Sequence, residues 1–149
     1  MPRSRQLLQL RWGDMDAYRH VNNVEVLRLL EEARVRAFGV PAADGSAPML
    51  ATGMVVARHE VDYLLPLDYR PEPVAVELWT GRVGGASFEV RYEVLAPGPE
   101  GGGERPHVRA STTCVSYDFA AGRPRRLSDA ERARLAALAD GPAGTGAPG

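Results

Sequence analysis

The sequence predicts one α+β domain in which a mainly antiparallel, five-stranded sheet wraps a central helix. Three observations carry this expectation. A single long stretch, residues 22–39, places apolar side chains at helical spacing. After it the apolar period falls to two and stays there through four further segments. Turns and loops rich in Gly and Pro join most of those segments, which favours hairpin-linked neighbours. With 149 residues the chain has room for one such domain.

In chain order, residues 5–12 (RQLLQLRW) read as a first strand closed by Gly13. Residues 13–21 mix turn formers with ionisable side chains and read as a loop. In residues 22–39, Val26, Leu27, Leu30, Ala33 and Ala37 recur at three and four. Arg28, Glu32 and Arg36 lie four apart on another face and can pair. Asn22 or Asn23 suits the N-cap, and Gly39 with Pro41 suits the stop. Residues 40–48 read as a loop, and residues 49–65, 74–83, 86–95 and 107–118 as strands. In the third of these, Phe88, Val90, Tyr92 and Val94 share one face. Gly84-Gly85 marks a hairpin, residues 97–106 a flexible loop, and Ala121-Gly122 a turn. Ser128 caps a short C-terminal helix, with Glu131 at the capping-box position and Leu135 and Leu138 as its apolar contacts. The domain is expected over residues 1–139, with residues 140–149 as a disordered tail. A sheet of this kind has open edges, which oligomerisation often covers.

Composition narrows the function. Eighteen basic and nineteen acidic residues give a net charge of −1, so no basic footprint points to nucleic acid. No apolar run is long enough for a membrane span, and the N-terminal stretch lacks a secretory pattern, so the cytoplasm is the expected compartment. The single cysteine, Cys114, excludes an intramolecular disulfide framework and reads as a small buried residue. The chain has no lysine, which removes Schiff-base chemistry and the phosphate-loop lysine.

The segment WGDMDAYRHVNNVEVLRLLEEAR, Trp12 to Arg34, concentrates the chemistry. Asp14, Asp16, His20, Asn22 and Asn23 crowd the entry to the long helix. A helix N-terminus offers unpaired N–H groups and the positive end of a dipole, which suits a developing oxyanion. A carboxylate just upstream suits attack on, or water activation at, the same carbonyl. Together they point to acyl transfer. The same residues also read as turn formers and helix caps, and the residues alone leave both readings open.

The segment resembles the signature of the hotdog-fold acyl-CoA thioesterases, in the 4-hydroxybenzoyl-CoA thioesterase superfamily. Gly13-Asp14, Asp16, His20-Val21-Asn22-Asn23 and Glu31-Glu32-Ala33-Arg34 match that pattern. Asp62-Tyr63-Leu64-Leu65-Pro66 resembles the family's Tyr-x-x-Pro strand end, and Ser87-Phe88 after Gly84-Gly85 falls at a recurrent position. The resemblance implies a hotdog fold and hydrolysis of an acyl-CoA or acyl-carrier thioester without metal or organic cofactor. It implies a homodimer or dimer of dimers with the pocket between subunits. It makes Asp16 the catalytic acid, acting as base or nucleophile. It makes the backbone N–H of Asn23 the oxyanion donor, with Val24 close behind. His20, Asn22, Val24, Arg19 and Ser87 are the candidates for contacting substrate.

Two departures bear on this. Arg19 stands where the family usually has Gly, which suggests a different loop and gives some support to a non-catalytic protein that binds acyl-CoA or a synthase partner. Leu64-Leu65 replaces a frequent basic residue, leaving coenzyme A and a carrier protein both open. Several further candidates take structural readings. Asp14 reads as a turn and cap residue. His20 either orients Asp16, lines the pocket or bonds locally. His59, Glu60 and Asp62 do not share one strand face, which argues against a metal site. Arg58, Arg82, Arg91, Arg109, Arg125 and Arg126 are possible phosphate contacts or ordinary surface charge.

Overall fold

Asn22 starts the long helix because its side chain accepts the Val24 N–H at 3.0 Å, as an N-cap should. The helix, α1, runs Asn23–Phe38 and ends at Gly39. The computed structural model describes residues 3–39, 49 and 53–139. The expected loop at 40–48 and the expected tail at 140–149 lie outside those residues.

Around α1 the described strands are β1 (Ser4–Leu8), β2 (Met54–Tyr63), β3 (Val74–Val83), β4 (Ser87–Pro97), β5 (Glu104–Asp118) and the two-residue β6 (Arg123–Pro124). A second helix, α2, spans Asp129–Ala137. The sheet order is β1-β3-β4-β5-β2, with β6 beside β5, and each pair is antiparallel. The expected architecture is therefore present: five long strands, one enclosed helix and a short C-terminal helix.

The sheet wraps α1 because both faces that meet are apolar. Val26, Leu29, Leu30, Ala33, Ala37 and Phe38 are buried on the helix. Phe88, Val90, Tyr92 and Val94 are buried on β4, the face that alternation assigned. Phe38 meets Phe88 edge-on, with ring centroids 5.9 Å apart. On the outer side of α1, Glu32 pairs with Arg28 at 3.2 Å and Arg36 at 2.7 Å. At α2, Ser128 and Glu131 form the expected capping box, Leu135 is fully buried, and Arg134 donates to the Ala37 carbonyl.

Element ends differ from the sequence reading for local reasons. β1 stops at Leu8, and Trp12–Asp14 form a 3-10 turn, since Asp14 folds back onto Arg11. Residues 50–52 of the expected strand lie outside the described residues; β2 begins at Met54, after Gly53, which sits at φ +93° where a Cβ would meet the Tyr117 carbonyl at 2.7 Å. β2 ends at Tyr63 because the Leu64 and Leu65 N–H groups both turn to the His107 carbonyl. The expected loop at 97–106 is shorter than its composition suggests: Pro97 pairs with Glu104, and residues 98–103 bridge the hairpin.

Two tertiary links position the helix entry. The Val21 N–H donates to the Leu67 carbonyl at 2.7 Å, and the Tyr63 hydroxyl donates to the Asn23 carbonyl at 2.9 Å. The start of α1 is thus fastened to the connection between β2 and β3.

Candidate active site

Asp14 is fully buried and holds the entry together. Its Oδ2 accepts the Arg11 backbone N–H at 2.8 Å and Arg28 Nη2 at 2.9 Å, while Oδ1 accepts Arg11 Nε at 2.9 Å. Its own carbonyl accepts the Asn22 N–H at 2.8 Å. Burial pushes its carboxyl pKa up, but the Arg11 hydrogen bonds and the Arg28 and Arg11 charges outweigh that and hold it below the ordinary value. With every direction occupied, Asp14 ties the 3-10 turn to α1, as the structural reading expects.

Asp16 is placed differently. Its Oδ1 accepts the Tyr18 N–H at 2.8 Å and the His20 N–H at 3.2 Å, closing a tight turn. Its backbone N–H donates to the His20 carbonyl at 2.7 Å. Oδ2 accepts nothing among the described residues. One carboxylate oxygen therefore builds the loop and the other is available.

The amides at the helix start can be counted. Val24 N–H goes to Asn22 Oδ1, and the Glu25 and Val26 N–H groups go to the Asn22 carbonyl at 2.9 and 3.1 Å. The Asn23 N–H has no acceptor among the described residues. It is the amide left at the positive end of the helix. Asp16 and Asn23 line one cavity of about 310 Å³, together with His20, Val26, Tyr63 and Leu67. Burial raises the Tyr63 phenol pKa, so it stays a neutral donor to the Asn23 carbonyl. Asp16 also borders a second cavity of about 720 Å³, whose wall includes Trp12, Met15, Arg19 and Tyr69.

The thioesterase-like superfamily model matches residues 10–135, most of the described fold. The chain belongs to that superfamily. Among curated protein sequences, none matches it. Among solved structures, a thioesterase from Thermus thermophilus, complexed with coenzyme A and Zn, is 32% identical with a TM-score of 0.75, covering 95% of this chain and 96% of that one. A predicted thioesterase from Bacillus stearothermophilus is 24% identical with a TM-score of 0.76, covering 94% and 98%. A mutant 4-hydroxybenzoyl-CoA thioesterase complexed with 4-hydroxybenzoyl-CoA is 17% identical with a TM-score of 0.75, covering 91% and 99%, a likeness of fold. The fold is the hotdog fold of these structures.

Within this thioesterase-like chain, the expected site residues separate into groups. Asp16, His20 and Asn23 share the smaller cavity, and Arg19 lines the larger one. Asn22 acts as the cap, and the Val24 N–H is consumed by that cap, so Val24 is not a free donor. The Val24 side chain is 63% exposed and borders neither cavity. Ser87 also borders neither. It opens β4 opposite Val115, seven residues along β5 from Val108 at the cavity, which is ~23 Å along the strand. The His20 ring points to Asp68, Nε2 to Oδ1 3.7 Å, and only its backbone serves Asp16.

Arg19 has φ +63°. It therefore adopts a left-handed geometry that Gly would accept without strain. Of the candidate phosphate contacts, Arg58, Arg91, Arg109 and Arg125 are paired with Glu60, Glu89, Glu93 and Glu131. Among the described residues no group of three or more His, Cys, Asp or Glu is placed to hold a metal. Cys114 is buried, and burial pushes its thiol up to about 11 despite the nearby Arg34 charge, which makes it a poor nucleophile.

Sequence reading did not single out Tyr63 and Leu67 as cavity walls. The Tyr-x-x-Pro strand end was the available signal. It also missed a buried polar line in which Arg34 donates to Tyr92 Oη at 3.0 Å and Tyr92 to Thr112 Oγ1 at 3.0 Å, with His59 Nδ1 2.9 Å from the same Thr112 oxygen.

Two outcomes test this description. Arg19→Gly should stabilise the fold by roughly 0.5–1 kcal/mol in denaturant melts, because relief of a left-handed penalty of roughly 1–2 kcal/mol exceeds the added unfolded-state entropy. A loss of stability would show that the Arg19 side chain holds the loop. Asp14 has a lowered pKa in the fold, so its stabilisation is complete above the unfolded value of about 3.9 and fades as pH falls through the lower folded value. Asp14→Ala should cost about 3 kcal/mol at pH 7. Melts between pH 7 and 2 should show the gap between wild type and variant closing only below about pH 4.

Proposed function

We propose that this chain hydrolyses an acyl thioester carried on coenzyme A or on the pantetheine arm of a carrier protein. Asp16 is the base or nucleophile, and the Asn23 N–H is the oxyanion donor. The observation that carries this reading is that one cavity is lined by both Asp16, with a carboxylate oxygen that has no partner among the described residues, and Asn23, whose helix-start amide has none there either. The named ligands of the solved relatives, coenzyme A and 4-hydroxybenzoyl-CoA, support the substrate class.

The thioester carbonyl oxygen sits at the Asn23 N–H, where the helix dipole favours the negative charge that develops on it. In the first route, Asp16 Oδ2 takes a proton from water as the water oxygen bonds to the carbonyl carbon. The tetrahedral intermediate collapses with loss of the C–S bond, giving the acid and a thiolate that picks up a proton. In the second route, Oδ2 itself attacks, the thiolate leaves, and water then hydrolyses the acyl-Asp16 anhydride. Neither route draws on a metal or an organic cofactor. A placed base contributes about 10²–10⁴ in rate and one oxyanion donor about 10²–10³. Val26, Leu67 and Val108 make part of the wall apolar, which strengthens both.

The working form in this reading is a homo-oligomer, a dimer or a dimer of dimers. The outer edge of β2 carries no further strand among the described residues. Trp12, Tyr18, Val24, Tyr63 and Leu64 stand exposed on the loop, the helix start and the strand end beside the cavity.

Free-thiol assays over short, long and aromatic acyl-CoAs should show turnover by wild type and a loss of at least about 10² in kcat/KM for Asp16→Asn. Asn keeps an acceptor for the Tyr18 and His20 amides, so the variant should melt close to wild type. Equal turnover by both would remove Asp16 from the chemistry. In rapidly quenched turnover, an acyl adduct on the Asp16 peptide marks the covalent route, and hydrolysis without one marks water activation.

A further inference from the structure

A third cavity, of about 370 Å³, lies between the Leu65–Arg70 segment and the Pro97–Gly98–Pro99 turn. His20, Leu65 and Pro66 line both it and the cavity that holds Asp16, so the two share a wall. Arg70 stands in it half-buried. It makes no ion pair or hydrogen bond among the described residues, and its Nε is fully shielded without an acceptor. Most other partly buried arginines of the chain have a carboxylate or a carbonyl. Arg134, whose Nε is also shielded, still donates to the Ala37 carbonyl. The shielded Nε is out of reach of any occupant, but the two Nη groups are not shielded and also have no partner among the described residues, so an anion in the cavity can meet them.

The other polar groups of the cavity fit the same occupant. His107 is 3% exposed, its Nδ1 is 2.9 Å from the Arg105 carbonyl, and its Nε2 has no partner among the described residues. The one acid on the wall, Asp68, faces His20 rather than Arg70, and is largely exposed. Arg70 therefore keeps an unopposed charge, in a planar fork that suits a bidentate oxyanion.

We infer that this cavity is an anion subsite of the substrate, in which Arg70, with His107 beside it, takes the oxygens of a phosphate or carboxylate group. The inference rests on the thioesterase reading for its substrate. The anion has two possible sources, a phosphate of the thiol carrier or a carboxylate at the far end of the acyl chain. The shared wall places either within one substrate's length of the reacting carbonyl.

Three thioesters separate the sources: butyryl-CoA carries phosphates, glutaryl-pantetheine carries a carboxylate, and butyryl-pantetheine carries neither. Affinity is read by calorimetry on Asp16→Asn protein, with and without Arg70→Gln, and kcat/KM is read on proteins with Asp16 intact. Arg70→Gln should weaken one of the first two by about tenfold or more, the share of one charge-assisted hydrogen bond, and leave butyryl-pantetheine within about twofold. Loss on butyryl-CoA names a carrier phosphate, and loss on glutaryl-pantetheine names an acyl carboxylate. Arg70→Lys should recover part of that loss. Equal weakening of all three, or of none, overturns the subsite. A change confined to oligomeric state on size exclusion overturns it too, as it would mean that Arg70 serves a second copy of the chain. Because affinity is measured without turnover, an inactive wild type would sink the thioesterase reading while the subsite is still decided.

Discussion

The buried Asp14 carboxylate is the constraint on which the site depends. It joins the 3-10 turn at Trp12–Asp14 to the first turns of α1 through Arg11 and Arg28, and its carbonyl receives the Asn22 N–H. That fixes where the helix begins. Where the helix begins decides which amide is left over. With Asn22 as cap, its side chain and carbonyl take the Val24, Glu25 and Val26 N–H groups, and the Asn23 amide remains. A shift of the start by one residue would leave a different amide facing a different direction. The free donor is thus a consequence of an ion-pair arrangement that lies outside the cavity.

Much of this was legible in the sequence because it is local. The helical period in residues 22–39, the Asn cap, the Ser128–Glu131 box and the alternation of β4 all depend on neighbours within a few positions. The ends of β2 were not legible. They fall at Gly53 against the Tyr117 carbonyl and at the His107 carbonyl accepting two amides, both contacts between distant segments. The β4–β5 hairpin was obscured for a related reason. Its Pro and Gly content reads as loop, yet Pro97 and Glu104 are held in register by the long ladder behind them.

The site shows the same division. The motif picked out Asp16, His20 and Asn23, which the structure gathers on one wall. It also suggested Ser87, which sheet register carries away from them, and Arg19, which the backbone holds in a left-handed conformation. Arg70 went unnoticed among many arginines. Pairing, the property that distinguishes it, belongs to the fold and has no signature in sequence.

In the proposed reading, Asp16 combines two duties that ordinarily compete. A carboxylate that builds a turn is usually satisfied at both oxygens, and a catalytic one needs a free oxygen near its substrate. Here the two backbone donors, Tyr18 and His20, converge on Oδ1. The turn is narrow enough for one oxygen to close it, and the left-handed residue at Arg19 is what makes it that narrow. The strain at Arg19 and the freedom of Oδ2 are therefore two ends of one arrangement. A wider loop would remove the strain, but the Tyr18 and His20 amides would no longer converge on a single carboxylate oxygen.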